Sequence, residues 1–136
     1  MDEDKRFKEL EAVAIALISD YKDGIFHISD VKLLRGVVEE MLQLKPKCVI
    51  RMKDKAISLA RFVDAVRKEE IVLDSLINEA ERLRKEMKNN KFSEEKAARL
   101  YYLLGEIRNR SPSAFKTNPS LIEALKELKA RGGANP

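Results

Sequence analysis

The chain has no tryptophan, one cysteine, one histidine, four prolines and five glycines among 136 residues. Each scarcity excludes something. Cys48 has no partner for an internal disulfide, and with His27 as the only imidazole it cannot complete a zinc site of the usual ligand type. Few turn formers argue against a sheet-rich fold. The longest apolar run, Ala12 to Ile18, is about a third of the ~20 residues a membrane helix needs. The opening Met-Asp-Glu-Asp is not the basic-then-apolar pattern of a secretory signal. Phosphate-loop, dinucleotide, zinc-protease and calcium-loop signatures are all missing. The expectation is a cytoplasmic protein held in reduced form, with no membrane partner and no catalytic, metal or cofactor site. An enzyme ranks third among the readings, because no nucleophile can be paired with a base.

What is present is helical. Hydrophobic residues make up 44% and charged residues 37%, with Leu, Ala, Glu, Lys and Arg dominant. A single glutamine, Gln43, on a Lys/Glu-heavy background points to a thermophile. Asp2 can cap a first helix whose stripe is Phe7, Leu10, Ala14, Leu17 and Tyr21, stopping near Gly24. Ser29 then caps a second helix through Leu34, Val37, Val38, Met41 and Leu42, which Pro46 ends. Residues 48–88 contain neither Gly nor Pro. Ala56, Leu59, Val63, Val66, Leu73, Ile77, Ala80 and Met87 recur there in steps of three and four, the seam of a coiled coil broken at Glu70 and Arg84. That region reads as one long helix or as two meeting near 68–72, with a short strand at Cys48–Met52 as the competing assignment. Asn89-Asn90 reads as a turn, Phe92-Ser93 as a staple and cap, and Ser111-Pro112 and Asn118-Pro119 as two further helix starts. The fold class is therefore all-α: a single-domain bundle of five or six mainly antiparallel helices over residues 1–131, then a disordered tail at 132–136.

The net charge of +4 is unevenly spread: residues 1–44 carry −4, 45–68 carry +6, 69–95 carry −3 and 96–136 carry +5. Wound as a helix, the second block places Lys47, Arg51, Lys55, Ser58 and Arg61 on one stripe with Phe62 beside it. Cations neutralise phosphates and release counterions, and an aromatic ring offers a stacking surface to a base. Arg108, Arg110 and Lys116 form a second basic region around a proline-initiated turn. The leading expectation is a non-catalytic protein that contacts nucleic acid, DNA or RNA, through basic helical faces with little sequence specificity. Its residues are Lys47, Arg51, Lys55, Arg61, Phe62, Arg108 and Arg110. The alternative is a protein–protein module or small structural subunit, anchored by Ile57 and Phe62 and able to pair with a second copy through the seam. His27, Cys48, the adjacent glutamates and Tyr102 are each read as ordinary linker, core or surface residues.

Overall fold

The computed structural model describes residues 2–22, 25–27, 29–52, 55–89 and 93–131, and within these not the side chains of 20–22 and 25–27. The chain is all-α. Six helices, α1 (Asp2–Leu17), α2 (Val31–Leu44), α3 (Leu59–Lys88), α4 (Glu94–Arg110), α5 (Pro112–Thr117) and α6 (Pro119–Arg131), are joined by two short hairpins among the described residues. It divides into two compact units, Met1–Ile71 and Val72–Pro136, with the boundary inside α3.

In the first unit α1 and α2 lie antiparallel, with Arg6 donating to Glu40 and Lys45 reaching Asp4. Their facing stripes bury Phe7, Leu10 and Ala14 against Val31, Leu34, Val38 and Met41. Two expectations fail here. The first helix ends at Leu17 rather than near Gly24, because 20–22 and 25–27 pair as strands β1 (Asp20–Lys22) and β2 (Ile25–His27). Asp23-Gly24 between them is a residue pair favoured in two-residue hairpin connections, a signal that outranks the helical spacing of Tyr21. The cap of α2 is Asp30, not Ser29.

The larger correction is at 48–58. The long helix begins only at Leu59, and the preceding segment is a hairpin of β3 (Val49–Met52) and β4 (Lys55–Ser58). The minority strand assignment at Cys48–Met52 is the right one. Val49, Ile50 and Ile57 are β-branched, and Ile50 is fully buried while Val49 and Arg51 on either side are exposed, the two-residue period of a strand. From Leu59 onward the seam holds without a break at 68–72: Leu59, Val63, Val66, Leu73, Ile77, Ala80 and Met87 are all buried. Its two charged interruptions are paired. Arg35 on α2 donates to Glu70 at 2.7 Å, and Arg84 donates to Glu127 on α6 at 2.8 Å.

In the second unit α4 runs antiparallel to α3, tied by Arg99 to Glu79 and Lys96 to Glu86. The helix starts are where the sequence places them. Ser93 Oγ accepts from the Lys96 amide, Ser111 Oγ from the Ala114 amide, and Asn118 Oδ1 from the Ser120 amide. Ser111 ends α4 and caps α5 while fully buried. Ser111→Ala is expected to cost about 1 kcal/mol, read as a lower urea midpoint with an unchanged slope. The Asn90 turn, the Phe92 staple, the Gly132-Gly133 stop and the disordered tail fall outside the described residues.

Candidate nucleic-acid interface

The hairpin redistributes the basic stripe. In an antiparallel pair, directly opposed residues share a face and neighbours along a strand alternate. Arg51 faces Ala56, Met52 faces Lys55, and Val49 faces Ser58. Arg51 and Lys55, one above the other on a helix, thus project from opposite faces of this ladder. Arg51 shares its side with exposed Val49 and Ala56, while Lys55 stays exposed only because it stands at the turn end of its side. The base of the hairpin is closed by the Leu59 amide donating to the Cys48 carbonyl at 3.3 Å. That bond sets Leu59 against Cys48, with Lys47 one residue before the one and Arg61 two residues after the other, in the first turn of α3. Both are exposed. Three cations are therefore graded along one hairpin, with Lys47 and Arg61 at its base and Arg51 along its outer face.

Phe62 does not join them. It is 5% exposed, lying with Leu59, Val63 and Val66 on the inner arc of α3, so it offers no ring for stacking and no surface anchor. Steps of three and four from Leu59 reach Phe62, Val63 and Val66, and the buried arc simply spans one more position than the narrow seam predicts. Cys48 is buried, and its thiol is pushed up from the ordinary value chiefly by that burial, which keeps it from acting as a thiolate.

Arg108 and Arg110 belong to the second unit, at the end of α4. Arg110 is half-buried and pairs with Glu106, so it packs rather than projects. Arg108 is exposed and rests against the ring of Phe115, 5.9 Å from its centroid. Beside it lies a feature that charge and periodicity did not disclose. Tyr101, Leu104, Gly105, Arg108, Phe115 and Leu125 line a groove of about 100 Å³. The only sequence signal for it is Gly105, a glycine in a helix interior, where it is disfavoured relative to alanine.

Partner accounting separates three of the arginines from the rest. Of eleven arginines, seven (Arg6, Arg35, Arg67, Arg82, Arg84, Arg99 and Arg110) pair with a glutamate, and Arg131 is also engaged. Arg51, Arg61 and Arg108 have no carboxylate partner among the described residues.

The paired carboxylates set an acid limit on the fold. Hydrogen bonds from Arg35 and then Arg67 hold Glu39 below the ordinary carboxylate value, Arg6 does so for Glu40, Arg99 for Glu79, and Lys96 with Arg82 for Glu86. A carboxylate depressed on folding stabilises fully above its unfolded pKa of about 4.3, and that stability is lost as pH falls through its lower folded value. Urea midpoints are therefore expected to be flat from neutral pH to about pH 5 and to fall steadily below pH 4. A curve that rises on acidification would contradict these pairs.

Among the described residues there is no cluster of three or more metal-ligating side chains and no helix long and apolar enough to cross a membrane. Fold and site together define a small all-α protein in which the arginines without a carboxylate partner among the described residues stand on a hairpin, in the first turn of α3 and on the groove lining. Compared with protein-family models, curated proteins and solved structures, the chain matches none.

Proposed function

We propose that this protein is a non-catalytic nucleic-acid contact protein that acts chiefly by phosphate neutralisation. Lys47, Arg51 and Arg61 carry the contact in the first unit and Arg108 in the second. Lys55 adds charge at the hairpin tip. The observation that carries the reading is the partner accounting. The protein spends most of its arginines on glutamates and leaves without a carboxylate, among the described residues, the three that stand on the hairpin, the first turn of α3 and the groove lining. A guanidinium with no internal acceptor presents its full fork of donors to phosphate oxygens. Contacts of this kind fix a protein on the backbone without reading bases, so little sequence preference is expected.

Fluorescence anisotropy with single- and double-stranded DNA and RNA at two salt concentrations tests it. Binding should be measurable at low salt and should weaken steeply as salt rises. Failure to bind any of the four at low salt would remove the reading.

A second reading, a module for a protein partner or a second copy of the chain, rests on Ile71. It is 68% exposed on α3, the most exposed large apolar side chain among the described residues. Light scattering of the wild type and Ile71→Asp tests the second-copy form of that reading. A monomer in both cases speaks against self-association there.

A further inference from the structure

The groove on α4 has a composition that the phosphate contacts do not use. It is lined by two half-buried rings, Tyr101 and Phe115, together with Leu104 and Leu125, and Gly105 adds no side chain to the lining. At its rim sits Arg108, held on Phe115 with no carboxylate partner among the described residues. The ligand that meets both halves is a flat apolar ring attached to an anion. A nucleotide of a single strand has that form: its base has an open π-face, and its phosphate lies one sugar away. Bases inside a duplex have both faces covered by their neighbours. The surrounding unit favours an anionic occupant, since residues 72–136 hold thirteen Lys and Arg against nine Asp and Glu.

Resting on the phosphate-contact reading above, we infer that the Tyr101–Phe115 groove takes one unstacked base of a single-stranded nucleic acid, with Arg108 on the adjoining phosphate. Among the described residues the lining side chains hold one hydroxyl, that of Tyr101, and no side-chain amide or carboxylate to read a base edge, so recognition is by stacking and tolerates any base. The result is a preference for single strands over duplexes that phosphate contacts alone do not supply.

Gly105 gives a clean test. A Cβ built there meets no atom within 4 Å, so Gly105→Leu adds its side chain from an unobstructed position on the groove lining, and it improves the helix. The full chain is titrated into labelled oligothymidylate of roughly 12 nucleotides and into a duplex of the same length, at low salt. The wild type is expected to prefer the single strand by about tenfold. Gly105→Leu is expected to weaken single-strand binding by about five- to a hundredfold and leave duplex binding unchanged. Phe115→Leu should follow the same pattern. Three results overturn the inference: a folded Gly105→Leu that binds the single strand like the wild type, equal losses on single strand and duplex, or an acidic aromatic peptide that binds and is blocked by Gly105→Leu while oligothymidylate is not. The first two leave the phosphate-contact reading standing. That reading falls with the inference only if neither nucleic acid binds at low salt.

Discussion

Ile50→Ala is expected to lower the unfolding free energy by about 2–5 kcal/mol, while Val49→Ala, one residue earlier, changes it by no more than about 1 kcal/mol. The contrast follows from the strand period. Ile50 is fully buried, and β3 packs against α1, so truncation removes its transfer energy and leaves a cavity that the surrounding helices only partly close. Val49 is 43% exposed and faces Ser58 on the outer side, so its loss removes little buried surface. Ala56→Lys extends the test. Ala56 stands opposite Arg51 on the exposed face and should accept a lysine with a change within about 1 kcal/mol. Were 48–58 a helix, Ala56 would sit in the buried seam, and a lysine there would cost several kcal/mol through desolvation. Urea denaturation of the three variants at pH 7 checks all of this. A larger loss at Val49 than at Ile50 would contradict the register.

The same segment shows why part of this fold could be read from the sequence and part could not. The helices from Leu59 to Arg131 were legible because they carry redundant signals. Seven buried apolar residues recur at seam spacing, and Ser93, Ser111 and Asn118 mark starts with a side-chain acceptor in the expected place. Glu70 and Arg84 looked like flaws in the seam only because their partners, Arg35 and Glu127, lie 35 and 43 residues away, a pairing that periodicity does not encode. The hairpin was harder. Lys47, Arg51 and Lys55 recur every four residues, which suits a helix, and Ile50 and Met52 alternate with Val49 and Arg51, which suits a strand. Four to five residues are too few for either period to dominate. Tertiary burial of Ile50 against α1 settles it. The site inherited that ambiguity: the charged residue types were visible, but their faces were not, and Phe62 was assigned outward by one position. The Tyr101–Phe115 groove left no trace beyond Gly105, because it is assembled from three helices.

The double reversal Arg51→Glu/Arg61→Glu is expected to weaken nucleic-acid binding at low salt by at least about tenfold and to flatten its salt dependence. The three phosphate contacts of the first unit, from Lys47, Arg51 and Arg61, imply a slope of log affinity against log salt of at least about −2 in magnitude for a single strand and about −3 for a duplex, to which Arg108 adds. A fourfold rise in salt should then weaken wild-type binding by at least about twentyfold and fortyfold, respectively. Removing two of the three contacts should reduce the slope magnitude by between about 1 and 2. The decisive comparison is Lys126→Glu/Lys129→Glu, which makes the same change in net charge at exposed positions of α6. If binding answers to local forks on the hairpin, this pair leaves the slope near its wild-type value and costs only the small long-range part of the attraction, which salt screens over about 10 Å. If both pairs lose equally, the protein is held by its overall charge and the hairpin has no special part in it. The hairpin reversal should not disturb the fold, since Arg51 and Arg61 are exposed and pair with no carboxylate among the described residues. Among the same residues the α6 reversal breaks only the exposed Lys126–Glu123 contact at 3.9 Å, whereas reversing Arg35 would break its bonds to Glu70 and Glu39. A reversal at Arg35 that lowers affinity would therefore report on folding, and a reversal at Arg51 and Arg61 that does so reports on contact.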